Sequence, residues 1–400
     1  MDCFFAQLIP NRHNYAYSMS CDNWMTRLCR KYYGKDPVIY NILKALVFLW
    51  ALFRFDTFVI TNYYGFWNHV NVEFKLLKLL GKKRVMLYLG TFTRLPYADG
   101  FGVRERGNYS RGKINVTAFA GLVARKKKEV EETENNTDIR VNLPAQAQLS
   151  KKSFISLSYL GIPIDIEDRC EETDNRKTDG KVRILHAPSN WGCKGTDEFR
   201  KCICELKKKY DIEYIEISGV SNRQVLDEIK KCDFVLDELY SDTPLATFAS
   251  EAAYYGKPAV VGGYFAEYYK KYYPAGSCPP TMYVTPEKLY ETVEKLICDD
   301  GLRKRLGMEA QVFVRKYMNS KAVARRFYKA INGDIASEWI IDPLKMGYLE
   351  GCGVNREVQR QIITEMYNKC GIDKMGTVGN PLLTEKVMEV VRGGEEKVWK

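Results

Sequence analysis

Short apolar runs alternate with longer mixed polar and apolar stretches along most of this chain, and this alternation restricts its fold more than any other feature. Strand-like runs lie at 57–62, 83–89, 153–160, 182–185, 214–217, 234–236 and 258–261. Helical patterns fill the spaces between them, at 72–80, 196–210, 222–231, 244–255, 286–298 and 302–331. A strand, helix, strand order favours parallel sheets with helices on both faces. We therefore predict a doubly wound α/β fold.

The length of the chain predicts more than one domain, because 400 residues exceed what one hydrophobic core usually supports. A polar stretch without periodicity separates two alternating halves, which is typical of a linker. We predict an N-terminal Rossmann-like domain over 1–165, a linker over 166–180, a second Rossmann-like domain over 181–334 and a mostly helical tail over 335–400.

The cysteines and histidines argue against a disulfide framework and a histidine-rich metal site. The twelve cysteines are scattered and include no Cys-x-x-Cys pair. The three histidines, His13, His69 and His186, are far apart in sequence. The first residues carry no signal-peptide pattern, so we expect reduced cysteines in a cytoplasmic protein.

A net charge of +11 is concentrated in part at 104–113 and in the basic run 125–128, which four glutamates follow between 129 and 134. One interpretation is a solvated helix face with alternating charge blocks. Another is a patch for an anionic membrane surface or a pyrophosphate-linked acceptor. Nucleic acid is not expected as a partner, because no basic-aromatic binding module accompanies the run.

The apolar segment 38–53 contains Asn41 and Lys44 and is shorter than the roughly 20 clean residues that a membrane span requires. We interpret it as a buried helix that leads into the strand at 57–62. Shallow insertion into a membrane interface remains the alternative.

The segment 186–196 has the pattern of a phosphate-binding loop, in which an apolar strand ends in a polar turn and a new helix begins. Lys194 is a candidate for stabilising charge on a diphosphate leaving group. Ser189, Asn190 and the backbone at Gly192 and Gly195 can supply neutral donors. Lys194 precedes its glycine, so the loop is not the Gly-Lys-Ser/Thr motif of nucleoside triphosphatases.

The second candidate element is the helix predicted at 244–255. Thr243 fits an N-cap, Pro244 the first helical position, and Gly256 the left-handed residue after the helix. Glu251 lies about 110° from the centre of the apolar stripe by helical-wheel arithmetic. We predict that it faces a cleft, where a carboxylate suits vicinal ribose hydroxyls.

These two elements together resemble a known family. The segment His-Ala-Pro-Ser-Asn at 186–190, with Lys-Gly-Thr at 194–196 and Glu-Ala-x-x-x-Gly-Lys-Pro at 251–258, is similar to the donor domain of GT-B retaining glycosyltransferases of family four, in a bacterial subgroup. The similarity covers about 181–331 well. In the N-terminal half it is carried weakly, by Gly90 and Arg94 among others.

The resemblance implies two Rossmann-like domains facing a central cleft, a nucleoside diphosphate sugar as co-substrate, no cofactor, no obligatory metal, and retention of configuration. It implies catalytic roles for Lys194 and Glu251. Donor contacts would come from His186, Ser189, Asn190, Gly192, Gly195, Thr196, Asp242 and Thr243, and acceptor-side contacts from Gly90 and Arg94. In GT-B enzymes a C-terminal helix often crosses back to the first domain, and the tail at 335–400 could do the same.

Two positions depart from the family pattern. Thr243, next to Asp242, stands where the family has a glutamate, and Trp191 stands where the subgroup commonly has an arginine. We expect a cytoplasmic glycosyltransferase, peripheral at the inner face of the cell membrane, that acts on a glycan or lipid-linked acceptor in polysaccharide biosynthesis. The alternatives are a sugar-nucleotide epimerase or hydrolase of the same architecture, and a non-catalytic nucleotide-sugar-binding partner.

Overall fold

The computed structural model describes residues 23–61, 65–67, 70–100, 113–166, 180–189, 194–274 and 276–393, together with 4, 6, 8, 103, 109 and 110. Its first half contains α1 (Trp24–Tyr32), α2 (Pro37–Arg54), β1 (Thr57–Ile60), α3 (Val70–Leu79), β2 (Lys83–Leu87), β3 (Tyr109–Ser110), β4 (Lys113–Ile114), α4 (Val116–Asn135), β5 (Ile139–Asn142), β6 (Phe154–Ser156) and α5 (Leu157–Leu160).

The second half contains β7 (Val182–His186), α6 (Thr196–Leu206), β8 (Ile212–Glu216), α7 (Asn222–Lys231), β9 (Phe234–Leu236), α8 (Thr247–Tyr254), β10 (Ala259–Gly262), α9 (Tyr269–Tyr272), β11 (Met282–Val284), α10 (Leu289–Cys298), α11 (Asp300–Tyr317) and α12 (Ser320–Ile331). After it come β12 (Ile340–Ile341), α13 (Arg356–Cys370) and α14 (Pro381–Val391).

Two sheets organise these elements. The first has the order β1-β2-β5-β6-β12, in which β12 runs antiparallel to β6 and the other pairs are parallel. The second has the order β11-β10-β9-β7-β8 and is parallel throughout. The predicted fold class, an α/β chain with two Rossmann-like doubly wound sheets, is confirmed.

Helices cover both faces of each sheet. On one face of the second sheet, Phe234 of β9 packs in one cluster with Phe199 of α6 and with α10. On the other face lie Ala252 of α8 and Val314 of α11. In the first sheet Phe58 and Met86 alternate with Val85 along the strands, so that α2 and α3 cover one face and α12 covers the other. The continuous apolar runs in the sequence therefore correspond to strands buried between two helical layers.

The chain crosses from the second sheet back to the first after α11. Asn319 caps α12, which splits the single helix predicted at 302–331 into two. The second of these helices packs Ala330 on the first sheet although it falls within the predicted second domain, whose boundaries stay a prediction. In the tail, α13 and α14 pack against α4 through Ile362, Val387 and Phe119.

Two local predictions in the N-terminal half need correction. The run 153–160 is a strand only over Phe154–Ser156 and then turns into α5. The segment 38–53 is indeed a helix leading into β1, and Asp36 caps it by accepting hydrogen bonds from the N–H groups of Val38 and Ile39. It is not buried as predicted, since only 28% of it lies inside the protein.

A close backbone contact ties the tail to the first half and can be tested. At Gly351 an added Cβ would lie 2.2 Å from the Ala98 carbonyl oxygen. We expect Gly351→Ala to lower the free energy of unfolding by about 1–3 kcal/mol through this clash. Gly121→Ala, in α4 with nothing within 4 Å of the new Cβ, serves as the control. It should raise stability by about 0.5–1 kcal/mol. Urea unfolding measures both, and equal effects would contradict the proposed close contact.

Candidate functional site

The order of the second sheet marks one position as the favoured binding crevice. From β7 the chain continues to β8 on one side and, through α7, to β9 on the other. In open α/β sheets a ligand crevice forms outside the carboxyl ends of the strands at such a reversal. The loops that follow β7 and β9 therefore border the favoured crevice.

The loop after β7 contains Ser189, which is exposed, and Lys194; Asn190, Trp191, Gly192 and Cys193 lie outside the described residues. Gly195 follows with a φ of 73°, in the left-handed region that favours glycine. A Cβ at Gly195 would also lie 2.4 Å from Cβ of Leu239, whose N–H donates to the Lys194 carbonyl at 3.1 Å. Glycine is therefore needed here for both its conformation and its small size.

Lys194 reaches the loop that follows β9. Its Nζ lies 3.3 Å from Oδ1 of Asp237 and 2.5 Å from Oε1 of Glu238. Burial disfavours the charged amine, but the two carboxylates outweigh burial and raise the pKa of Lys194. Burial likewise raises the pKa of Glu238, and the nearby Lys194 only partly opposes this. The candidate phosphate-binding cation is thus neutralised by side chains of its own protein.

His186 and Thr196, which were predicted as donor contacts, lie behind this loop. Both are fully buried. The Nδ1 of His186 lies 2.8 Å from the Leu236 carbonyl oxygen and its Nε2 lies 2.9 Å from the Thr196 hydroxyl. With Nδ1–H donating to the carbonyl and Nε2 accepting from the hydroxyl, the ring is neutral and fully engaged. The pair ties β7, β9 and α6 together.

Glu251 lies on α8 and is more enclosed than predicted, with 8% of its surface exposed. Its Oε1 accepts a hydrogen bond from the Nδ2 of Asn222, the first residue of α7, at 2.9 Å. Burial raises the pKa of Glu251, while the Asn222 hydrogen bond opposes this. The carboxylate therefore stands between the first turn of α7 and the crevice at β7 and β9, held by one neutral donor.

The predicted start of α8 is wrong. The helix begins at Thr247 with Ala246 as N-cap, so Thr243 and Pro244 precede it in a turn. The hydroxyl of Ser241 accepts from the Thr243 N–H at 3.2 Å and donates to its carbonyl at 2.9 Å. Because Ser241 holds the Thr243 backbone in this turn, Thr243 does not act as the N-cap of α8. The predicted end is confirmed, since Gly256 has a φ of 71°.

Asp242, in the same turn, forms a buried ion pair with Arg94 of the loop after β2. Arg94 is 1% exposed. Lys126 fixes the turn that carries Arg94, because its Nζ donates to the Thr91 and Arg94 carbonyls at 2.5 and 3.0 Å. Arg94 was predicted on the acceptor side, but it reaches across to the donor half. Gly90 lies nearby, exposed, with a φ of 71°.

A cavity of about 430 Å³ adjoins this turn between the two halves of the chain. It is mostly apolar and is lined by Thr243, Tyr159, Trp339, Tyr273, Phe313 and Tyr317, among others. Thr243 therefore faces this cavity. Of the predicted site residues that the structure describes, Ser189, Lys194 and Glu251 remain at the crevice, and Asp242 and Arg94 lie at the boundary of the two halves.

Sequence reasoning missed the partners of these residues. Asp237 and Glu238 directly follow a buried strand, and acidic residues at a strand end are a usable signal for a site, although not for their pairing with Lys194. Asn222 and Ser241 gave no signal, because a short polar side chain at the start of a helix or in a turn is ordinary.

No protein-family profile and no curated protein matches the chain. Among solved structures, Anabaena HepE in complex with UDP-glucose is similar over 73% of this chain and 82% of its own, at 11% identity and a TM-score of 0.42. TarM from S. aureus, in complex with UDP, is similar over 64% of this chain at 10% identity and a TM-score of 0.42. The chain spans about half of TarM, 53%. The glycotransferase of kitacinnamycin is similar over 74% of this chain and 84% of its own, at 12% identity and a TM-score of 0.35.

The strand orders of the chain itself define its architecture. Two Rossmann-like sheets are followed by helices that return to the first half of the chain.

Acidification should weaken the scaffold of the site through His186. Burial lowers the pKa of His186, so the unfolded chain binds a proton below about pH 6.5 that the folded chain resists. The contribution of this group is present above that pH and is lost as the pH falls, by at most about 1.4 kcal/mol per pH unit. His186→Asn, which does not titrate, should remove this part of the pH dependence of the free energy of unfolding.

Phe199→Leu, which alters the ring packed against His186 without titrating, is the control and should destabilise the protein equally above and below about pH 6.5. Burial raises the pKa of Glu350 to about 7, so Glu350 also contributes to the pH dependence. The contribution of His186 is therefore the difference in that dependence between the unaltered protein and His186→Asn. An unchanged slope in His186→Asn would show that the histidine is not the source.

Proposed function

We propose that the chain is a glycosyltransferase that moves a sugar from a nucleoside diphosphate sugar to a glycan or lipid-linked acceptor, with retention and without a metal. We place the reaction in the cytoplasm. The observation that carries the proposal is the position of Lys194: a lysine at the N-terminus of α6, at the strand reversal where α/β sheets bind nucleotides.

The reaction needs charge stabilisation at the diphosphate. The bond between the anomeric carbon and the diphosphate oxygen breaks, and the acceptor hydroxyl forms the new bond on the same face. The acceptor proton passes to the departing diphosphate. Lys194 and the free N–H groups at the start of α6 would stabilise that oxygen. For this, the Lys194 amine must exchange its contact with Glu238 for one with phosphate.

Glu251 would hold the ribose of the donor. A carboxylate accepts hydrogen bonds from both vicinal hydroxyls, and Asn222 would keep its second oxygen oriented. Because burial raises the pKa of Glu251, ribose hydroxyls that bond to it would favour the charged form.

Donor turnover tests the proposal. The full chain is incubated with a panel of nucleoside diphosphate sugars, with and without glycan acceptors, and release of nucleoside diphosphate is measured. We expect acceptor-dependent release with one donor. Lys194→Ala should lower the rate by roughly 100-fold through lost leaving-group stabilisation, and Glu251→Gln should raise KM for the donor. Lys201→Ala and Glu309→Gln, at exposed positions on α6 and α11, are the matched controls and should leave both values unchanged.

The alternatives give different outcomes in the same assay. Release that needs no acceptor indicates an epimerase or hydrolase. Binding of a donor without release indicates a non-catalytic partner, an outcome that the neutralisation of Lys194 by Asp237 and Glu238 would explain. Full transfer by both Lys194→Ala and Glu251→Gln would make the site assignment wrong.

The contact between Lys194 and Glu238 gives a separate prediction. Glu238→Gln removes one negative charge beside the amine, so nucleoside diphosphate should bind more tightly, by roughly tenfold. Isothermal titration calorimetry with UDP measures the change. Glu216→Gln is the control, because Glu216 pairs with Arg200 instead. Weaker binding by Glu238→Gln would mean that Glu238 positions the lysine rather than competing for it.

A further inference from the structure

Among the described residues, helix α2 presents an exposed apolar face. Along one side lie Val38, Ile42, Leu46, Leu49 and Phe53, which are 68, 55, 48, 49 and 91% exposed. These five residues, the apolar ridge, fall within about 80° of one another at 100° per residue and extend for about 22 Å. Isolated exposed apolar residues are normal, but a continuous ridge of this length marks an interaction surface.

The opposite side of α2 belongs to the protein core. Val47, Phe48 and Ala51 are buried, and Phe48 packs against Phe58 of β1 and Phe74 of α3. Within the described residues, α2 is the helix that is long and apolar enough to cross a membrane by length and composition. Crossing would remove these core contacts, so the folded protein can use the ridge only with the helix lying along a surface.

Charge around the ridge identifies the kind of surface. Between Pro37 and Phe53 no exposed residue of α2 is charged. Exposed cations flank the apolar ridge at both ends: Lys35 precedes the helix, and Arg54 is its last residue. The acidic residues of 23–61 are Asp36, which caps α2, and Asp56, which pairs with Lys82 at 3.0 Å. The same stretch contains six basic residues.

We propose that the apolar ridge of α2 docks this protein in the plane of a bilayer that contains anionic phospholipid. The side chains enter the acyl boundary, and Lys35 and Arg54 meet the headgroups. A second copy of the chain fits less well, because an antiparallel pairing of two ridges would place the cation at each end of one helix beside the cation of the other.

This inference changes the surface expected from the sequence. The basic run at 125–128 was the candidate for membrane contact, but Lys126 is committed to the Thr91 and Arg94 carbonyls, and Arg125 lies 3.9 Å from Glu129. We therefore place the proposed bilayer contact on α2, where the exposed apolar side chains lie.

Vesicle flotation of the full chain tests the proposal, with vesicles of phosphatidylcholine alone and of phosphatidylcholine with an equal part of phosphatidylglycerol. We expect binding to the anionic vesicles. The triple variant Val38→Gln, Leu46→Gln, Phe53→Gln should lower the vesicle-bound fraction at least roughly tenfold, because it removes the apolar contact. Lys35→Gln with Arg54→Gln should lower binding to the anionic vesicles alone, as should added salt.

The matched control is Met308→Gln with Val312→Gln, two residues on α11 that are 63 and 65% exposed. It should float like the unaltered chain. The proposal is overturned if the ridge variant floats as well as the control, or if the unaltered chain binds neither vesicle. A dimer in light scattering that only the ridge variant dissociates, without flotation, would assign the ridge to a second copy instead.

The membrane proposal does not depend on the donor site, so its failure can be distinguished from a failure of the proposed function. UDP binding by the ridge variant should equal that of the unaltered chain. Lys194→Ala should float normally whatever its transfer activity. Loss of flotation with intact UDP binding therefore reports on the ridge alone.

Discussion

A buried ion pair between Arg94 and Asp242 joins the two halves of this protein, and the geometry of the cleft depends on it. Each partner is fixed by its own half. Lys126 holds the turn that carries Arg94, while the hydroxyl of Tyr283 donates to the Ser241 carbonyl beside Asp242 at 2.9 Å. Removing one partner of such a pair costs about 3–5 kcal/mol because the other charge stays buried. The pair therefore adds a charged contact to the apolar contacts, such as that of Phe265 with Tyr348, that join the two halves.

The loop around Asp242 shows why the pair can be held in place. The Ser241 N–H donates to the Gly262 carbonyl at 2.6 Å, and the Gly262 N–H donates to the Glu238 carbonyl at 2.7 Å. A Cβ at Gly263 would lie 1.9 Å from the Ser241 carbonyl oxygen. The loops after β9 and β10 are thus joined by main-chain hydrogen bonds and pack in direct backbone contact. Lys194 contacts one end of this unit and Arg94 the other, so the unit connects the candidate donor site to the boundary between the halves.

The sequence predicted those helices and strands whose bounds depend on local pattern. It did not predict contacts between residues that are distant in sequence. The strand β9 and the helix α7 have the predicted bounds, because buried runs and a Ser221 cap are local signals. The helix α8 was placed three residues too early, since the Ser241 turn outcompetes a local cap. Lys194 was identified as a candidate, but its pairing with Asp237 and Glu238 spans more than forty residues of sequence and follows no spacing rule. The apolar segment 38–53 was correctly predicted as a helix, yet composition cannot show which side of a helix is covered.

The orientation of α2 relates its ridge to the cleft. Only Phe55 and Asp56 separate α2 from β1, and α2 packs on β1 through Phe48, so the helix must run back antiparallel to the strand. The start of α2, with Lys35, then lies on the side of the carboxyl end of β1 and past it, because the 18-residue helix spans about 27 Å and the four-residue strand about 13 Å. The carboxyl ends of β2 and β5 share that edge because the sheet is parallel, and Arg94 follows β2 there. A bilayer along the ridge would flank the first sheet with the opening of the cleft close to its headgroups. A lipid-linked acceptor could then reach the cleft without leaving the bilayer, which would connect the exposed apolar face of α2 to the proposed reaction.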